Sequence, residues 1–298
     1  MTSPPEQRHA LSLPCGRTLS YATFGGDGRP VVVVLDGPGS RGLARASAAA
    51  ADALGLQLVA PDRPGFGDSS KEDRAIADWP EDHAALLDAV GADRAGVVAQ
   101  SGGTPYALAA AAALPDRVAA LAFLGGLAPL DDPGAFAEAG KQLRMGVKLS
   151  RRAPWLLRLG LRAAGRSAAR NPEKAARKFS GDLPAADLAV LEDPAMWKLH
   201  EQATVEILGQ PDAVAREMGR IGRPWGVDIA AVRAPAAFWT GDHDVVHPPS
   251  HARRLAEALG GAPVEVVPDA ATFGLLPIYP DALRFATQRS PVASDPAR

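Results

Sequence analysis

Cysteine is nearly absent from this sequence. The 298 residues hold one, Cys15, so no disulfide can close within the chain and a disulfide-stapled fold is excluded. A lone thiol suits a reducing compartment. Long apolar runs are missing as well: no uninterrupted stretch approaches the ~18 residues that a membrane helix needs. The opening stretch, MTSPPEQRHALSLPCG, has prolines and charges but no apolar core of signal-peptide length. The expectation is a cytoplasmic protein without stable membrane insertion. Excess charge of one sign is also lacking. The net charge is -2, which leaves no chain-wide electrostatic basis for binding nucleic acid. Aromatic residues are sparse at 5%, but hydrophobic residues make up 47% and charged residues 22%, the balance of a globular protein. The length fits one large domain, or one domain with an insertion.

The hydrophobic residues fall in short blocks. HALSL and TLSYATF flank the turn PCGR and read as a hairpin. PVVVVL is continuously apolar and β-branched, the pattern of a strand buried on both faces of a parallel sheet. LQLVA, AGVVAQ and VAALAFLG read as further strands. Helix-like segments such as ARASAAAADALG and WPEDHAALLDAVG lie between them. Alternation of this kind predicts an α/β fold, a mostly parallel sheet with helices on both faces. From about Pro129 to Trp225 the strand pattern stops and helix-like, basic segments take over. It resumes with APAAFWTG, PPSHARRLAEALG, APVEVV and PIYPDALRFATQ. The expected division is a first core part at 1–128, a helical cap at 129–225, a second core part at 226–288 and a disordered tail at 289–298.

VVAQSGGTPYALA runs from a buried strand straight into a helix, with Ser101 at the junction. Ala99, Gln100, Ser101, Gly102 and Gly103 form a small-x-Ser-x-small pattern. A serine on so sharp a turn needs small neighbours, because its backbone is strained and crowded. The turn lifts the hydroxyl above the sheet and aims the Gly102 N–H at an oxyanion formed there. The plainer reading is a serine N-cap; the strand before it and the paired glycines after it favour a nucleophile.

On these residues the chain resembles the α/β-hydrolase superfamily, in its cap-bearing esterase and peptidase-like branch, from about Gly16 to Gln288. APDRPGFGDS, SGGTPYALA and RPWGVDIAAV…FWTGDHD look like that family's loops. The resemblance implies the α/β-hydrolase fold, a lid at the Pro129–Trp225 insertion and a nucleophile at Ser101. It implies an acid in GDHD, where Asp242 and Asp244 stand and the family's spacing favours Asp244. The bland alternative for Asp244 is a turn-forming aspartate. The resemblance also implies a histidine after the last strand. There the chain reads VPDAATFGLL: Ala271, Thr272 and Phe273 match the family's Gly-His-Phe-like triplet, so Thr272 holds the histidine position. A threonine hydroxyl takes up no proton at neutral pH, and Ser101 without a base is a weak nucleophile. The expectation is therefore a degenerate triad.

Six histidines could replace the base: His9, His83, His200, His243, His247 and His251. His9 and His83 read as structural. His200 lies in the expected cap and could point down into the pocket. His243 adjoins the acid and reaches Ser101 only if its loop departs from the family's. His247 and His251 are four apart on an expected helix, the spacing of two metal ligands, but the family's helix there faces outward, and they read as a solvated helix start. No metal and no cofactor are expected.

A second departure lies in VLDGPGSR, where the family has HGxPGSR. Aligned without a gap, Leu35 replaces the histidine, Asp36 the glycine, and Gly37 supplies the N–H that completes the oxyanion hole with Gly102. A gapped register puts Pro38 on the donor, and proline has no N–H. A carboxylate beside an oxyanion opposes it, while a carboxyl in an apolar pocket serves well as a general acid or base. Asp36 is accordingly the expected replacement acid/base. Its bland alternative is a loop aspartate capping the following helix.

The segment from Lys141 to Lys178 is strongly basic, and Arg158, Arg162, Arg166 and Arg170 recur every four residues along one helix stripe. A solvated face is the plain reading. An anionic or carrier-bound small-molecule substrate, or a membrane surface, is the sharper one. The sequence carries no mark of an oligomeric state. Three functions follow: non-hydrolytic acid/base chemistry (cyclisation, dehydration, elimination or isomerisation) on a small organic substrate, as in natural-product metabolism; a serine esterase with a surrogate base, His200 or His243; or a non-catalytic binding protein. The first is the expectation.

Overall fold

The continuous apolar runs become strands whose alternate residues feed two cores. The computed structural model describes residues 4–37 and 39–288; the tail expected at 289–298 lies outside the described residues. Eight strands form one sheet: β1 (Gln7–Ser12), β2 (Thr18–Phe24), β3 (Val31–Leu35), β4 (Gln57–Pro61), β5 (Ala95–Ser101), β6 (Val118–Gly126), β7 (Ala236–Gly241) and β8 (Val264–Val267). Their order is β1-β2-β4-β3-β5-β6-β7-β8. β2 pairs antiparallel with β1 and β4, and every other pairing is parallel. Within β3, Val31, Val33 and Leu35 enter one hydrophobic cluster and Val32 and Val34 the other. A strand covered on both faces has no polar side to show, which is why the sequence reads as VVVVL.

Five helices cover the sheet: α1 (Gly42–Ala53), α2 (Trp79–Ala89), α3 (Thr104–Ala113), α11 (Pro249–Ala258) and α12 (Tyr279–Ala286). The first cluster holds residues of α2, α3 and α11, and the second holds residues of α1 and α12. Between β6 and β7 the chain makes seven α-helices and no strand among the described residues: α4 (Pro133–Glu138), α5 (Lys141–Arg152), α6 (Pro154–Arg170), α7 (Pro172–Phe179), α8 (Ala185–Val190), α9 (Pro194–Leu208) and α10 (Pro211–Ile221). A proline opens α6, α7, α9 and α10. Its missing N–H costs nothing in the first turn, so each proline marks a helix start rather than a break. Among the described residues no helix is long and apolar enough to cross a membrane.

Candidate active site

β5 ends on Ser101 and α3 begins three residues later. Ser101 has φ +51°, one of two non-glycine residues with positive φ among those described. Such backbone is strained and persists only where the surrounding structure holds it. Gly103 is required by space: a Cβ there would run into the Leu35 carbonyl of β3. The elbow thus sits tight against the neighbouring strand. Gly102 follows the serine at the head of α3, where helix N–H groups lack intrahelical partners.

The imidazole that meets Ser101 is His247. Its Nε2 lies 2.8 Å from Ser101 Oγ. This differs from the expectation of an outward-facing helical residue four positions before His251. His247 is buried and precedes α11, which starts at Pro249. Asp244 makes the turn that brings it in: Asp244 Oδ1 accepts the N–H groups of Val246 and His247, both at 2.8 Å. Asp244 Oδ2 lies 3.6 Å from His247 Nδ1, an ion-pair distance longer than a hydrogen bond. Burial alone would push the Asp244 carboxyl up, but the adjacent His247 ring and the two N–H donors hold it below the ordinary carboxylate range. Gly125, with φ +61° at the end of β6, faces this pair: a Cβ there would stand 3.4 Å from Asp244 Oδ2 and 3.6 Å from His247 Nδ1.

Thr272 stands beside the acid, and its hydroxyl donates to Asp244 Oδ2 at 3.0 Å. It therefore supports the carboxylate from the position that the resemblance gives to histidine. Asp187 of α8 anchors the next residues: its Oδ1 accepts the Phe273 N–H at 2.7 Å. Burial, with the Asp244 charge adding to it, raises the Asp187 carboxyl to about 6.

The other candidate histidines are engaged elsewhere. His200 Nε2 bonds the Ser180 hydroxyl at 2.8 Å, and its ring meets Phe273 edge-on at 5.3 Å. His243 is exposed, near Asp242 and Asp269. His251 is buried between Ala128 N–H and the Ala135 carbonyl, so it does not share a ligand with His247. His9 bonds Thr23, and His83 is fully buried.

Asp36, the expected acid/base, has its carboxylate engaged by neighbouring donors. Its Oδ1 accepts the Gly37 N–H at 2.6 Å, and its Oδ2 accepts the Ser40 hydroxyl and the Leu43 N–H, each at 2.9 Å. A carboxylate spent on three donors, one of them in the first turn of α1, is a loop and helix cap. It also occupies the Gly37 N–H expected for the oxyanion hole. Pro38 lies outside the described residues. Arg63 fixes the same loop from behind, donating to the carbonyls of Asp36 and Gly37 at 2.7 and 2.9 Å. Glu217 of α10 holds Arg63 at 2.9 Å and accepts from the Tyr106 hydroxyl at 2.7 Å. Gln100 faces the buried Tyr279 phenol, whose pKa is raised by burial and by the charges of Asp36 and Asp187. A surface cleft of about 370 Å³, lined by Ala128, Pro129, Asp132 and Arg254, contains none of these groups and has no part in the site.

Comparison with known proteins bears on the fold. A family model described as the alpha/beta hydrolase fold matches residues 30–277. No curated protein matches the sequence. Among solved structures, the chain is similar to an alpha/beta hydrolase fold protein from Nakamurella multipartita at 21% identity and TM-score 0.66, covering 94% of this chain and 99% of that one. It is similar to the enol-lactonase from Burkholderia xenovorans at 18% identity and TM-score 0.68, covering 94% and 100%. A thermophilic esterase from Thermogutta terrifontis is similar at 22% identity and TM-score 0.62, covering 93% and 97%. With the match spanning most of its length and the sheet order and elbow described above, the chain belongs to the alpha/beta hydrolase fold family.

Proposed function

We propose that this protein is a serine hydrolase cleaving acyl bonds of small molecules, with Ser101 as nucleophile, His247 as general base and Asp244 as the partner of the base. The observation that carries this reading is the 2.8 Å contact between Ser101 Oγ and His247 Nε2. Proton transfer needs that reach first of all. With its own proton on Nδ1, toward Asp244, the imidazole presents Nε2 to the serine. As Oγ attacks the carbonyl carbon, Nε2 takes the hydroxyl proton, then delivers it to the leaving group. The ionised Asp244 stabilises the imidazolium formed in between. Water, activated by the same nitrogen, then releases the acyl group from Ser101.

Gly102 supplies one oxyanion donor. The second, the Gly37 N–H, is held by Asp36 at 2.6 Å and must leave that bond to serve. A missing donor costs on the order of 10²–10³ in turnover, so slow cleavage of simple esters is expected. The helices from α4 to α10 act as a cap: Glu217 and Asp187, both from this insertion, grip the oxyanion loop through Arg63 and the Thr272 loop through Phe273. The engaged Asp36 carboxylate argues against non-hydrolytic acid/base chemistry there, and an assembled serine–histidine contact has no use in a passive binder.

A fluorophosphonate probe tests the proposal. It should label Ser101, and labelling should vanish in Ser101→Ala and fall sharply in His247→Gln. Failure to label the wild-type protein sinks the hydrolase reading. Undiminished labelling of His247→Gln sinks the assigned base.

A further inference from the structure

The inserted helices carry a feature that the chemistry above does not use. Between residues 140 and 172 there are nine lysines and arginines and no aspartate or glutamate, in a chain of net charge -2. On each helix, the helical repeat puts most of these residues on an exposed stripe. On α6, Leu157, Leu161, Ala164 and Ala168 turn inward, buried or half-buried. The opposite stripe carries Trp155, Arg158, Leu159, Arg162 and Arg166 at the three- and four-residue spacing of one face. On α5 the outward stripe is Lys141, Met145, Lys148 and Arg152, all exposed.

Large apolar side chains stand open among these cations. Trp155 is 68% exposed, Leu159 55% and Met145 54%. Arg162 meets Asp212 of α10 at 3.0 Å. Among the described residues Arg158, Arg166 and Arg170 meet no carboxylate. Exposed tryptophan and leucine interleaved with unpaired arginines match neither a solvated face, which has no need of tryptophan, nor a core, which excludes the charges.

We propose that the outward face of α5 and α6 docks on an anionic lipid bilayer. The apolar side chains would enter the headgroup boundary while the arginine and lysine stems keep their charges at the lipid phosphates. The shape favours a bilayer over an acidic protein. Seventeen residues of α6 make a rod of roughly 25 Å at 1.5 Å per residue, with apolar and basic groups alternating along it. A flat anionic sheet complements such a stripe along its whole length. Docking here rests on surface residues alone and is independent of how Ser101 acts.

Vesicle flotation with the full chain tests this. Vesicles of phosphatidylcholine with one third phosphatidylglycerol should carry the protein upward at low salt, and pure phosphatidylcholine vesicles should not. Removing two charges with Arg158→Ser and Arg166→Ser is expected to lower the partition coefficient roughly thirty-fold. Trp155→Ser should weaken binding, and the blue shift of tryptophan emission on mixing should shrink with it. Circular dichroism checks that each exposed-site variant remains folded. No flotation with anionic vesicles, or flotation unchanged by these substitutions, overturns the proposal. So does retention by immobilised polyglutamate without vesicle binding, which would point to an acidic protein partner instead.

Discussion

Replacing His247 by glutamine keeps the volume and removes the proposed base. Nε2 lies 2.8 Å from Ser101 Oγ with no intervening group, so the whole of its proton transfer is lost. In a well-studied serine protease such a loss costs on the order of 10⁶ in turnover, which is about 8 kcal/mol of barrier. Asp244→Asn should cost less. Its Oδ2 stands 3.6 Å from Nδ1, beyond hydrogen-bond length, and losing the acid of a well-formed triad costs about 10⁴. The geometry also predicts a rescue. Thr272 Oγ1 already touches Asp244 Oδ2 at 3.0 Å, so an imidazole at 272 inherits the acid. Thr272→His in the His247→Gln background should regain roughly 10²-fold, the low end of general-base catalysis. Steady-state turnover of p-nitrophenyl butyrate for the four proteins measures all of this. If His247→Gln keeps kcat within about tenfold of the parent, a difference below ~1.4 kcal/mol, the assigned base is wrong.

Two further outcomes follow from the half-buried Asp36 and the buried His83. Asp36→Ala frees the Gly37 N–H and should raise kcat by about tenfold or more, part of the 10²–10³ that an oxyanion donor is worth. It should also lower stability by about 1 kcal/mol through the lost cap at Leu43, read by urea unfolding; a drop in kcat would show that Gly37 is not the second donor. His83 is held at about 4 by burial and by the charge of Arg117, against ~6.5 in the unfolded chain. The unfolded chain takes the proton first, so stability is full above about pH 6.5 and falls by about 3 kcal/mol as pH drops toward 4. His83→Leu should flatten that slope in unfolding curves measured at pH 7 and pH 4.5, and an unchanged slope would place the acid sensitivity elsewhere.

The strands were legible because a doubly covered sheet leaves no polar side, and Val31–Leu35 could belong nowhere else. Ser101 was legible because only small residues fit around an elbow pressed against Leu35. His247 was not, because HPPSHARRLAEALG reads as one helical segment and its two histidines fall four apart. One cue was there. His247 precedes Pro248, and the residue before a proline is steered away from helical backbone. The helix therefore begins at Pro249, and His247 belongs to the Asp244 turn. Asp36 misled for a different reason. Its neighbours in the sequence put it in the loop that passes Ser101, but which donors its carboxylate meets depends on how the loop folds back to Leu43.

The turn from Asp244 to His247 has a consequence for inheritance. In the proposed arrangement acid and base are one short peptide, closed on itself by the N–H groups of Val246 and His247 donating to the Asp244 carboxylate. Such a unit can pass between related scaffolds in a single segment exchange. Position 272 is then released from proton transfer, and its one remaining task is to hold the Asp244 carboxylate in place.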